Sequence, residues 1–190
     1  MALKLITAPA SEPVTVAEVR AHCRIDGTAE DSLLAVYITA ARQLCEETIG
    51  RVLMPQTWEQ TLDAFPDGEI KLLKTPVASV SSIVYVDSAG VNQTLNPASY
   101  VFDAETEPGW LLPADGLEWP TTDDVINAVR IRFVAGYANS ASVPELLKVW
   151  IYSTVAAFVA QRESIDTTGR VGALPERFID RLLDPYRVYG

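Results

Sequence analysis

The period of the apolar residues changes twice along this chain, and that change restricts the fold more than any single motif. Over residues 13–50, and again over 142–163, apolar side chains recur at the helical spacing that buries one stripe. From Pro55 to Ala135 they alternate with polar ones, and β-branched or aromatic residues stand between turn formers. A segment patterned for one periodicity cannot bury its apolar set in the other, because strand side chains alternate between faces whereas helical ones stack every third or fourth position. The chain therefore reads as α+β. A helical unit built from both ends, residues 1–54 and 138–190, receives an inserted antiparallel β-rich module, residues 55–137. With 190 residues it is long enough for one sizeable core and a second small one.

Local signals place the elements. Thr15 with Glu18 forms a capping box for a helix over 16–24, and Asp26-Gly27 breaks it. Thr28 with Asp31 repeats the pattern for a helix over 29–49, whose stripe is Leu34, Ile38, Ala41 and Cys45, with Gly50 suited to its left-handed end. Strands are expected over 56–63, 69–73, 80–87, 91–95 and 127–135. Asp87-Ser88-Ala89-Gly90 is a hairpin turn. Residues 97–124 form an acidic excursion pinned by Trp110 and Trp119. Ser142 as N-cap and Pro144 open a helix to about residue 163, with Leu147, Trp150, Ile151, Val155, Phe158 and Val159 on its apolar face. A link over 164–172 and a short helix from Pro175 to Leu183 complete the chain.

Charge is distributed unevenly. Residues 59–132 hold twelve acids against Lys71, Lys74, Arg130 and Arg132, so this stretch carries −8 of the total −10. No base stands between Lys74 and Arg130. Such a surface repels nucleic acid, since affinity for a phosphate backbone comes from neutralising it with Lys and Arg. The apolar run around Val149 to Ala160 is too short to span a bilayer, and the first ten residues lack the apolar core of a secretory signal. A protein without a membrane association is expected.

Catalytic chemistry has little to work with. His22 is the single histidine and sits in the first helix; Cys23 beside it points about 100° away on a helix, so the two do not form a dyad. Cys23 and Cys45 read as small buried hydrophobes. No metal-ligand spacing, phosphate loop, dinucleotide fingerprint or nucleophile elbow is present, and no cofactor is expected. Two other readings stay open: a carboxylate-based hydrolase using a pair of acids near Trp110 and Trp119, or a small binding module built on the β-rich insertion. Arg181, Tyr186, Arg187, Val188 and Tyr189 form a tail of the residue types that anchor partners. The alternative is a tail folded onto its own domain.

The order of these elements, with particular runs, resembles the head-tail connector (head-completion adaptor) proteins of long-tailed phages, in the longer variety found in prophages and gene transfer agents. The runs are Pro13-Val14-Thr15-Val16-Ala17-Glu18-Val19, Arg24-Ile25-Asp26-Gly27, Asp31-Ser32-Leu33-Leu34, Ala40-Ala41-Arg42, Thr48-Ile49-Gly50-Arg51, Gln56-Thr57-Trp58, Phe133-Val134-Ala135-Gly136-Tyr137 and Val143-Pro144. The resemblance implies a non-enzymatic subunit of a ring of about twelve copies. It implies a portal protein and a tail or stopper protein as partners, assembly in the bacterial cytoplasm, and a final place in the virion. DNA would pass through without specific binding. An acidic wall would suit that passage, which makes Asp103, Glu105, Glu107, Asp115, Glu118, Asp123 and Asp124 candidates for facing the channel or its rim.

Overall fold

A computed structural model describes residues 1–161, 179 and 181–188. The chain divides into two compact units, one of Met1–Ala10 with Met54–Ala138 and one of Ser11–Leu53 with Asn139–Gly190. We call them the sheet unit and the helical unit.

The sheet unit contains two antiparallel sheets. The larger joins β1 (Ala2–Thr7), β2 (Gln56–Leu62), β4 (Val77–Val86), β5 (Asn92–Thr94) and β8 (Val129–Ala135) in the order β1-β2-β8-β4-β5. The smaller joins β3 (Ile70–Lys71), β6 (Tyr100–Asp103) and β7 (Trp110–Pro113) in the order β3-β7-β6. Strand β8 sits at the centre of the larger sheet, paired with β2 on one edge and β4 on the other, and its alternation is regular. Val129, Ile131, Phe133 and Ala135 are buried, while Arg130 and Arg132 stand on the opposite face. Full burial of Phe133 alone stabilises by about 2–3 kcal/mol.

Gln60 is the unexpected member of this core. It lies opposite Ile131, wholly buried. Its side-chain amide donates to the Lys71 carbonyl (2.9 Å) and its oxygen accepts from the Leu73 N–H (3.0 Å). The side chain thereby replaces the ladder bonds that the two-residue β3 is too short to supply, and leaving those groups unpaired would cost about 1–3 kcal/mol each.

Three corrections apply here. Residues 1–10, read with the helices, belong to the sheet unit through β1, which pairs antiparallel with β2. An edge strand exposed along most of its length carries little apolar alternation, so the sequence gives it no clear period. The excursion over 97–124 holds two real strands, β6 and β7. And β4 begins at Val77, ahead of the expected residue 80, because register shifts at Val77/Ser79 and Val80/Ser82 interrupt its period.

The helical unit contains α1 (Val16–Cys23), α2 (Asp31–Ile49) and α3 (Glu145–Ala160), with α2 and α3 packed on each other and α1 against both. Leu34, Ile38, Ala41, Cys45 and Ile49 of α2 and Leu147, Trp150, Ile151 and Val155 of α3 are buried. Tyr37 meets Phe158 at 5.6 Å between ring centroids. His22 stacks on Tyr152 at 5.5 Å.

The first capping box is formed. Thr15 Oγ1 accepts from the Glu18 N–H (3.2 Å), and Glu18 Oε2 accepts from the Thr15 N–H (2.6 Å). The Thr15 N–H foremost, and then the Thr15 hydroxyl, which donates to Glu18 Oε2 at 2.8 Å, hold the Glu18 carboxyl below its ordinary range. What they contribute is therefore present above the usual glutamate pKa and is lost as pH falls through the lowered value.

The second box does not form. Glu30 is the N-cap of α2 and makes no side-chain capping bond, while Asp31 forms an ion pair with Arg20 of α1 at 3.2 Å. Nor does Ser142 cap α3. It is held in a short 3-10 turn by Asn139 Oδ1, and the helix starts after Pro144, whose carbonyl accepts from the Leu147 N–H (3.0 Å). At the other end α2 stops on Gly50, at φ +71°, which donates its N–H to the Glu46 carbonyl. The link over 164–172 and most of the helix expected over 175–183 lie outside the described residues.

Candidate assembly surfaces

The seven acids singled out from the sequence do not form one surface. Asp103, Glu105 and Glu107 lie at the tip of the β6–β7 hairpin, whereas Asp115, Glu118, Asp123 and Asp124 follow β7 at its far end. The four residues of β7 separate the groups by about 13 Å at ordinary strand rise.

The tip is built by Asp103. Its carboxylate accepts from the Glu105 N–H (2.9 Å), the Thr106 N–H (3.3 Å) and the Thr106 hydroxyl. The Thr106 hydroxyl, then the Glu105 and Thr106 backbone, hold this carboxyl below the aspartate range. Its charge is thus committed to the turn, and Glu105 and Glu107 are the exposed acids.

The second group rides on a loop fixed by aromatics. Trp119 stacks on Phe65 at 5.0 Å with the planes 5° apart, and its indole N–H donates to the Gly68 carbonyl at 2.7 Å. Phe65 in turn meets Tyr85 of β4 edge-on at 5.7 Å. The Asp123 N–H donates to the Val86 carbonyl (3.0 Å), and Thr122 bridges to Asp87. Around this pin lies a hollow of about 470 Å³ lined by Phe65, Asp67, Pro113, Glu118, Trp119 and Pro120 among others. Beyond it Asp115, Glu118 and Asp124 are exposed, together with Leu117 (51%), Val125 (41%) and Ile126 (84%).

A second hollow, of about 320 Å³, opens on the larger sheet and is lined by Glu59, Ser82, Val84, Asn92, Arg130 and Arg132. Arg132 pairs with Glu59 at 2.7 Å, and Arg130 donates from Nη2 to Asn92 Oδ1 at 2.6 Å. Sequence reading saw these arginines as the wet face of β8 but not the concavity between them, which depends on which strands flank β8.

In the helical unit the site that sequence reading missed is Arg42. It lies within the buried face of α2, 4% exposed, and bonds Glu12 Oε2 at 2.6 Å and Glu46 Oε2 at 2.7 Å. Glu12 also accepts from the Thr39 hydroxyl (2.8 Å), and Glu46 from the Leu53 N–H (2.8 Å). An arginine one position from a buried alanine, with Glu46 one turn on, was the available signal, but Glu12 stands 30 positions away in sequence.

Among the terminal candidates, the structure ties the segment back. Leu183 is buried, the Tyr186 carbonyl accepts from Arg51 Nε (2.7 Å), the Val188 N–H donates to the Ile49 carbonyl (2.9 Å), and Arg187 pairs with Asp184 at 3.2 Å. Arg181 is exposed, Tyr186, Arg187 and Val188 are half-buried, and Tyr189 lies outside the described residues.

Both cysteines are held as thiols. Burial, and then the charge of Glu46, push Cys45 up to about 12, and burial raises half-buried Cys23. Because the thiolate is the reactive form, a thiol reagent at neutral pH should modify the native protein slowly at Cys23 and not at Cys45. Denaturant should release Cys45; its rapid labelling in native protein, read by mass spectrometry, would contradict this packing.

A family model described as phage gp6-like head-tail connector protein matches residues 13–107. No curated protein matches the sequence. In structure, the chain is similar over its whole length to one in the neck of an empty gene transfer agent (GTA) particle with C6 symmetry. Identity is 27% and the TM-score 0.81, covering 100% of this chain and 97% of that one. Similarity to a chain in the virion of the native GTA particle is alike, at 26% identity and TM-score 0.80 with the same coverage. A chain from the neck of the native GTA particle with C12 symmetry, at 22% identity and TM-score 0.76, shares the fold.

Proposed function

The chain belongs to the phage gp6-like head-tail connector protein family, and on that premise we propose that it is the adaptor subunit of a ring joining portal to tail in a phage-like particle. The observation that carries this is the end-to-end likeness, both units included, to a chain of a particle neck. As such a subunit it works in the virion, after assembly in the bacterial cytoplasm, and its partners are further copies of itself, a portal protein and a tail or stopper protein.

The role asks for charge and shape, not for a reaction. Among the described residues, the carboxyls displaced from their ordinary pKa are Glu18, Asp87 and Asp103, and each moves downward. Their hydrogen bonds serve a helix cap and two turns. A general acid needs the opposite displacement, which disfavours the hydrolase reading.

DNA passing through such a ring must not be gripped, since each phosphate neutralised by Lys or Arg adds an anchor. We assign Glu105 and Glu107 at the hairpin tip, with Asp103 beneath them, to the channel or its rim. A ring that carries these hairpins wholly on its outer surface would remove that assignment. Arg181 and the exposed sides of Tyr186 and Arg187 are left for the portal or tail, on a backbone already anchored to Ile49 and Arg51.

Deleting the gene in a producing strain tests the role. DNA-filled heads and unattached tails are the expected products, restored by the gene in trans. Intact tailed particles without this chain would overturn the proposal.

A further inference from the structure

We propose that the arginine-lined hollow of the larger sheet receives the acidic loop 115–126 of a second copy, and that this head-to-tail contact builds the ring. The proposal rests on the connector reading above and adds which surfaces meet.

The receiving side is incompletely satisfied. Arg130 donates to Asn92 from Nη2, while its Nε is enclosed yet makes no hydrogen bond. A guanidinium offers five N–H donors in a planar fork, and a carboxylate accepts two of them side by side. Beside it Arg132 is half open, 52% exposed, although paired with Glu59 at 15%. Lys4 of β1 lies opposite Glu59, which itself lies opposite Arg132, so one cross-strand row holds two cations and one anion. With Arg130 the patch is positive in a module that is otherwise strongly acidic.

The entering side is the loop after β7. Asp115, Glu118 and Asp124 are exposed on it, and Leu117, Val125 and Ile126 stand beside them unprotected. Trp119 and Phe65 fix the loop, so docking it sacrifices little conformational freedom. Large apolar side chains left exposed mark a contact surface, and the acids beside them give it the charge that an arginine-lined hollow complements. The hollow supplies Val84 for the apolar part and the arginines for the acids.

A polyphosphate occupant fits less well. DNA would bring many charges against a surface in which residues 59–132 already carry −8. Hollow and loop are separate elements of one chain, so each copy offers both, and a repeated unlike contact closes into a ring.

Two variants test the contact: Arg130→Met, which keeps the apolar stem, and the combined Asp115→Asn, Glu118→Gln and Asp124→Asn, which removes no buried side chain. Sedimentation at low salt should show wild-type self-association that either variant weakens at least about tenfold, as does high salt. Mixing the two variants leaves one intact contact per unlike pair. Dimers and nothing larger should then form.

Wild-type protein that stays monomeric at low salt and high concentration overturns the proposal, as does a mixture that assembles like wild type. Binding of a labelled DNA duplex that Arg130→Met abolishes would replace it with a phosphate site. If Arg130→Met fails to melt cooperatively, the acid-side variant carries the test alone. Tailed particles assembled normally from either variant would sink this contact and leave the connector role standing.

Discussion

Replacing Gly136 by alanine should cost the sheet unit about 4 kcal/mol or more, enough to leave much of the protein unfolded at 37 °C. Gly136 follows the last residue of β8 and has φ +119°, a backbone conformation that L side chains rarely adopt. Its N–H donates to the Pro76 carbonyl at 2.8 Å, which fixes its position. A Cβ there would lie within the Met54 carbonyl group and 3.0 Å from Pro55 N. Both obstacles are backbone, immediately before β2, so no rotamer change relieves them. The residues on either side are committed too, since Ala135 pairs with Gln56 in β2 and with Val77 in β4. Gly68→Ala is the control, because its Cβ would meet nothing within 4 Å and its φ is not in the left-handed region. It should stay within about 0.5 kcal/mol of wild type. Denaturant melts of both variants decide the matter, and a Gly136→Ala protein as stable as the control would show that β2 and β8 do not meet as described.

This glycine also shows where sequence reading reaches and where it stops. The run Phe133-Val134-Ala135-Gly136-Tyr137 was conspicuous in the sequence, and the alternation before it fixed β8 correctly. Nothing in the run said why glycine ends it. The reason is a carbonyl eighty-two positions earlier, at Met54, and such reasons are invisible to local patterns. Helices α1, α2 and α3 were legible because one buried stripe imposes a period over many residues. Strands β6 and β7 were not, because each is four residues long, too short for alternation to establish a period. The second capping box failed for a related reason: Asp31 had a competing partner, Arg20, in another helix. For the candidate surfaces, sequence supplied the acids but joined them into one group that β7 divides into two. The arginine hollow needed strand order, which periodicity does not encode.

Arg42→Ala should destabilise the helical unit by about 3 kcal/mol. The guanidinium lies in the buried face of α2 and holds Glu12 from the segment before α1 and Glu46 from its own helix, one turn on. Removing it leaves two carboxylates facing each other across the vacated space, with side-chain exposures of 26% and 12%. Neither can turn to water freely, since Glu12 accepts from Thr39 and Glu46 from the Leu53 N–H. The loss is therefore larger than the net worth of the ion pairs: it is the cost of stranding their partners. Two further variants separate these contributions. Arg42→Lys keeps the charge but cannot span both carboxylates with a planar fork, so it should recover only part of the loss. Adding Glu46→Gln to Arg42→Ala should recover more than chance addition predicts, because it removes one stranded charge while its amide oxygen can still accept from Leu53. Melts followed by helical circular dichroism measure all three. Strict additivity of the double variant, or a loss below about 1 kcal/mol for Arg42→Ala, would mean that this buried arginine is not what ties the entering segment and the exit of α2 together.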